Sequence, residues 1–153
     1  VAARIKEVAD GVAAAIAVGW GSPAPATVHT DLIPDIAPDE VSDLSGRHVY
    51  VFQAGYGSPG PLDRSYDIND YRISVVVVEH YDDAAGLPTN SWINDLIDWC
   101  ETHIWAKLSN ARTPLLTTLI PFGADVVMVY DPELLREESL FLSEFLFTFR
   151  EYA

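Results

Sequence analysis

Gly55-Tyr56-Gly57-Ser58-Pro59-Gly60 spells GxGxxG directly after a predicted strand, the spacing that lets a backbone cradle a pyrophosphate in dinucleotide-binding folds. That chemistry needs a helix to begin at the glycines, so that its free amides and dipole face the phosphates. Here Pro61, Asp63 and another strand follow, and no Walker-type lysine is present. The segment reads instead as a flexible or partner-contacting hairpin loop. His80 with Asp82 and Asp83 is the one cluster resembling a metal site. A hard cation needs several oxygens around a tight loop, and zinc needs more nitrogen or sulfur donors. A solvated acidic turn fits these residues better. His29, His48 and His103 fall on predicted strands and a helix without HxxxH spacing. Cys100 has no CxxC partner and sits on an apolar helical stripe, the place of a small core residue. The pairs Asp39/Glu40, Asp82/Asp83 and Glu137/Glu138 are what chance supplies in a chain with 23 acids. No GxSxG elbow is present. The expectation is a protein without catalytic residues, metal or cofactor, and not an enzyme.

The balance of charge narrows the partners. Nine basic residues stand against 23 acidic ones, a net of −14. Grip on nucleic acid comes largely from Lys and Arg neutralising phosphates, so tight DNA binding is not expected. An anionic wall past which DNA slides without sticking is compatible with this charge. At 153 residues and 49% apolar content, the chain is expected to form a single domain, residues 1–153, with a core of its own. A single cysteine leaves no internal disulfide and suggests a reducing compartment or indifference to redox. No apolar run approaches the roughly 18 residues of a membrane span, and the first residues lack the apolar core of a secretory signal. No membrane role or export is expected.

The elements that must position these residues follow from periodicity. Ile5, Val8, Val12 and Ile16 recur at three to four residues, an amphipathic helix that Gly19, Gly21, Pro23 and Pro25 end. Thr27–Ile33 and His48–Ala54 alternate as strands, separated by an acidic loop over Asp35–Asp43. Ile68–Tyr81 contains SVVVV, a strand covered on both faces for part of its length. After a turn-rich stretch, Ser91 opens a helix whose buried stripe is Ile93, Leu96, Ile97, Cys100, Ile104 and Leu108, with Trp92, Trp99 and Trp105 beside it. Leu115–Ile120 and Asp125–Tyr130 read as two strands around a turn at Pro121–Gly123. Asp131-Pro132 leads into a short acidic helix, Glu133–Glu138, and then a long apolar strand.

That last strand carries Phe141, Phe145, Phe147 and Phe149 on one face and Leu140, Leu142 and Leu146 on the other. A sheet with one helix-covered face needs a single apolar side, so two partly apolar sides imply further helices or a contact between subunits. The predicted fold class is α+β, a mostly antiparallel sheet of four to five strands packed with two main helices. One helical layer plus some oligomer contact is the favoured arrangement.

Taken in order, these pieces resemble the tail terminator (minor tail) proteins of long, non-contractile-tailed bacteriophages. The likeness runs from the helix Ala3–Ala17 through TVHTDLIP at Thr27–Pro34 and DEVSDLSGRHVYVFQAG at Asp39–Gly55. It continues with Arg64-Ser65, the strand Tyr66–Val78, the helix Trp92–Leu108 and DPELLREESLFLSEFLFTFR at Asp131–Arg150. It covers nearly the whole chain as an overall pattern, with Gly55–Leu62 and Leu115–Gly123 fitting least well. The resemblance implies a structural virion protein that forms a hexameric ring at the head-proximal end of the tail tube. Such a ring ends tube polymerisation and joins the head–tail connector, and its partners are other copies of itself, the tube protein and a connector or neck protein. Genomic DNA passes through the lumen, and assembly takes place in the host cytoplasm. On this view Gly55, Tyr56, Gly57, Ser58, Pro59, Gly60 and Arg64 contact the tube or connector. Asp39, Glu40, Asp43, Glu133, Glu137 and Glu138 face the DNA path or a neighbour. A sibling neck or head-completion protein is the alternative, and a small nucleotide-binding enzyme a more distant one.

Overall fold

A computed structural model describes residues 4–30, 46–57, 68–81, 86, 88–109 and 119–152. Helix α1 covers Arg4–Ala17 and buries Ile5, Val8, Val12 and Ile16, the stripe its spacing predicts. Gly19, at φ +85°, stops it, because only glycine takes that conformation without a steric cost. Lys107 then donates from Nζ to the carbonyls of Ile16 and Val18, at 2.7 and 2.8 Å. A cation on carbonyls that the helix leaves unpaired also matches the negative end of its dipole.

Strands β1 (Thr27–His29), β2 (Arg47–Gly57), β3 (Ile68–His80), β4 (Leu119–Met128) and β5 (Leu140–Tyr152) form one sheet in the order β1-β2-β3-β5-β4. The class is α+β, as the sequence predicts. Four of the strands pair antiparallel, while β1 lies parallel to β2. β3 and β5 run side by side over their whole length, from Ile68 opposite Tyr152 to His80 opposite Leu140. This register puts Ile73, Val75 and Val77 level with Phe147, Phe145 and Ser143 on the face that the helices cover.

Helix α2 (Asn90–Cys100) starts at Thr89, whose hydroxyl accepts from the Trp92 amide at 3.2 Å. It continues through one π-helical turn, Glu101–Trp105, into the short α3, Ala106–Ser109. Leu96, Cys100, Ile104 and Leu108 are buried from this run, whereas Ile93 and Ile97 are only partly covered. The stripe is therefore narrower than the periodicity predicts. α1 and α2 pack on the same face and share one apolar cluster with Val49, Val51 and the phenylalanines of β5. The opposite face carries a smaller cluster of Tyr50, Val76, Val78 and Leu140. Against it lies Leu134 of α4 (Pro132–Glu138), while the next residue, Leu135, reaches into the main core. Asp131 caps α4, its carboxylate accepting from the amides of Glu133 and Leu134 at 2.9 and 3.4 Å, with Pro132 in the first turn.

Three expectations about boundaries need correction. The turn predicted at Pro121–Gly123, between strands Leu115–Ile120 and Asp125–Tyr130, is not there: β4 runs unbroken from Leu119 to Met128, and residues 115–118 lie outside the described residues. Register shifts at Phe122 and Val127 absorb the irregularity as bulges, and an edge strand can carry a proline that a central one cannot. β2 extends to Gly57, so Gly55, Tyr56 and Gly57 belong to a strand and not to a loop. β1 ends at His29, and the rest of the predicted strand lies outside the described residues, apart from Thr30, which is not in a strand.

Candidate interaction surface

The residues predicted for contact fall into two groups that the fold keeps apart. Tyr56 pairs with Tyr71 near the Tyr152 end of the sheet and is 72% exposed. Beside it, Arg4, Ile5, Asn69 and Tyr71 complete a shallow hollow of about 250 Å³. The Arg72 guanidinium lies against the Cα of Gly55, so a side chain there would displace it. Ser58, Pro59, Gly60 and Arg64 lie outside the described residues, as do Asp39, Glu40 and Asp43. Glu133 and Glu137 stand exposed on α4 and Glu138 is half-buried. α4 leads into Leu140, the opposite end of β5 from Tyr152, and the 13 residues between them span roughly 43 Å at ~3.3 Å per residue. Tyr56 and the α4 acids thus serve different ends of the molecule.

Two further groupings were not predicted. At the α4 end, Trp20, Trp99, His103 and Arg47 interlock, with Trp99 centred 6.0 Å from Trp20 and 5.0 Å from His103. The Arg47 guanidinium lies 4.8 Å over Trp99 and donates to Glu79 at 3.3 Å. Trp20 Nε1, Trp99 Nε1, Arg47 Nε and His103 Nδ1 are buried without hydrogen-bond partners. Burial, then the nearby Lys107 and Arg47 charges, hold the His103 imidazole below its usual pKa and so favour its neutral form. This joint fastens α1, α2 and β2 together, and its indole and guanidinium N–H groups suit an oxygen acceptor more than a cation. The π-helical turn that carries His103 is the local irregularity that sequence periodicity does not reveal.

The second grouping is β4. Ile120, Phe122, Val126, Val127 and the following Val129 are all exposed, between 45 and 57%. A cleft of about 110 Å³ opens between this strand and α2, lined by Ile97, Trp105, Val126, Val129, Phe145 and the buried Cys100 among others. Its floor is fixed by Ser143, whose hydroxyl donates to the Met128 carbonyl at 3.2 Å, next to the bulge at Val127. Burial pushes the Cys100 thiol up to about 12, so at neutral pH it is a protonated core group and not a nucleophile. The only signal for this strip in the sequence is the run DVVMV, which looks the same as the valines of β3.

Elsewhere His29 Nε2 and His48 Nδ1 meet at 3.0 Å, with His29 stacked 4.6 Å from Tyr50. Among the described residues no three His, Cys, Asp or Glu side chains converge as metal ligands, and no helix there is long and apolar enough to cross a membrane. His80 is described but Asp82 and Asp83 are not. No protein-family model matches the chain, and no curated protein matches it in sequence.

Proposed function

We propose that this chain is a structural subunit of a phage tail, assembling as a ring at the head-proximal end of the tail tube. The ring ends tube growth, offers a joint to the head–tail connector and lets DNA pass through its lumen. The role is mechanical and involves no catalytic step. The observation that carries this reading is a contrast on one molecule. A net charge of −14 accompanies an edge strand, β4, that has no further strand beside it among the described residues and whose exposed side chains, Asp125 apart, are mostly apolar. The acids repel phosphate, as a sliding path for DNA requires. The apolar edge offers a place where subunits can join, and a head-to-tail contact that closes by rotation makes a ring. Exposed Glu133 and Glu137 on α4 fit a surface turned to the DNA path or a neighbour. The ordered likeness of nearly the whole chain to tail terminator proteins, weakest at Gly55–Leu62 and Leu115–Gly123, supports a position at the tail end.

The test is the mass of the protein in solution and its presence in isolated tails. Closed oligomers, or copies found at one end of purified tails, support the reading. A strictly monomeric protein that is absent from tails overturns it.

A further inference from the structure

The joint of Trp20, Trp99, His103 and Arg47 holds more hydrogen-bond donors than the fold uses. Trp20 Nε1, Trp99 Nε1, Arg47 Nε and His103 Nδ1 are all buried without a partner. A buried N–H with no acceptor is costly, and four orphaned nitrogens in one place call for an occupant. The rings form one cluster, with centroids 6.0 Å apart for Trp20 and Trp99, 5.0 Å for Trp99 and His103, and 6.3 Å for Trp20 and His103. Indole and guanidinium nitrogens donate and never accept, so three of the four atoms cannot hold a cation. Charge at the joint is positive, in a chain whose net is −14. Lys107 Nζ lies 5.5 Å from the Trp20 ring and spends its bonds on the neutral carbonyls of Ile16 and Val18, not on an acid. The Arg47 guanidinium, 4.8 Å over Trp99, is offset by Glu79 at 3.3 Å. Both charges that lower the His103 pKa, after burial itself, are positive: Lys107 and Arg47.

We propose that this joint binds a small monovalent anion, of the size of chloride or formate, through the N–H groups of Trp20, Trp99 and Arg47. The site is independent of the ring reading, because it concerns what locks the helices to the sheet and not what the sheet edge meets. The donor set separates an anion from a water molecule. A water must place two hydrogens of its own on acceptors, and the orphaned atoms offer it only His103 Nδ1, in one tautomer. An anion accepts from every N–H and needs no acceptor in return. It also offsets the charge of Lys107 at a partly buried place, where solvent ions screen little. Size follows from burial. The four nitrogens are closed to solvent, so a side chain of another protein reaches them only by opening the joint. Trp20 follows α1, Trp99 lies on α2, His103 on its π-helical turn, and Arg47 opens β2, so one bound ion ties the two helices to the sheet. Occupancy then stabilises the fold by mass action.

The experiment follows the indole N–H signals of the nitrogen-15-labelled full chain while chloride or formate replaces bulky gluconate at constant ionic strength. Trp20, Trp92, Trp99 and Trp105 each give one signal. The expected result is a saturable shift of the Trp20 and Trp99 signals, with Trp92 and Trp105 unmoved. The anion with the lower Kd names the occupant. Tm should rise by about 5 °C when that anion stands a hundredfold above its Kd. Lys107→Gln keeps a donor for the helix carbonyls but removes the charge, and should raise Kd about tenfold or more. Lys6→Gln, the same change on the exposed side of α1, should leave Kd unaltered. Circular dichroism checks folding, and the wild-type signals decide the site even if Lys107→Gln does not fold. Shifts that fail to saturate, or that move all four indoles alike, are an effect of salt on the whole protein and overturn the site. A saturable shift confined to Trp92 or Trp105 puts the anion elsewhere and also overturns it. Indole signals that ignore both anions and show cross-relaxation with a long-lived water make water the occupant, which replaces the proposal.

Discussion

β3 and β4 flank β5 on either side and carry nearly the same valine run, yet they meet opposite fates. Val75, Val76, Val77 and Val78 of β3 are at most 2% exposed, whereas Val126 and Val127 of β4 are about half exposed. Residue type does not explain this. β3 has β2 beyond it and apolar clusters on both of its faces, while β4 has a helix flank on one face and no described strand beyond. Exposure along a sheet is decided by place in the strand order. A valine run therefore marks a core in one place and stays at the surface in another.

The sharpest way to break this comparison is to put the same charge on each strand. Val77→Asp buries a carboxylate with no partner and should cost on the order of 5 kcal/mol, enough to unfold a domain of ordinary stability. Urea denaturation reads it, and a folded Val77→Asp protein would contradict the burial of β3. Phe147→Ala, on β5 between the two strands, leaves a cavity under Trp105 and should cost about 3–5 kcal/mol by the same measurement. Cys100, on the cleft floor, should react with iodoacetamide at pH 8 roughly a thousandfold more slowly in the native protein than after unfolding, as its raised pKa implies. Labelling of the native protein at the unfolded rate would mean that the floor is open. Val127→Asp should change the unfolding free energy by no more than about 0.5 kcal/mol, so equal damage from the two aspartates would erase the distinction.

The smallest effect concerns the clamp across the three strands. Arg150 donates to both Asp70 carboxylate oxygens at 2.8 and 2.9 Å while it lies over Phe122, so one guanidinium links β3, β5 and β4. These bonds hold the Asp70 carboxyl below its ordinary pKa. A carboxyl depressed in the folded state contributes stability above its unfolded pKa of about 3.9, and that contribution is lost as pH falls through the folded value. The stability difference between wild type and Asp70→Asn should therefore shrink below about pH 4, with folding followed by tryptophan fluorescence. A difference that stays constant from pH 7 into that range would remove the clamp from the account.

Much of the scaffold was legible because its signals are local. The stripe of Ile5, Val8, Val12 and Ile16, the SVVVV of β3 and the alternating phenylalanines of β5 each report their own periodicity. The break predicted at Pro121–Gly123 was wrong because a proline and a glycine usually end a strand, while an edge strand with a bulge accommodates both. The π-helical turn at Glu101–Trp105 was not foreseen, since one turn of altered pitch leaves Cys100, Ile104 and Leu108 at spacings that an α-helix also allows. Of the residues predicted for contact, Tyr56 and the α4 acids proved to lie at opposite ends of the sheet, a separation that the order of residues does not encode.

By itself the sequence determined the elements that bury their faces and the acidic balance of charge. Those properties depend on residue type and on neighbours within a few positions. Only the tertiary structure decided that both main helices share one face, that Trp20, Trp99, His103 and Arg47 meet, and that the valines of β4 remain exposed. The physical reason is that strand order and helix placement come from contacts between residues far apart in the chain. Similar local patterns become core or exposed surface according to what those contacts leave uncovered.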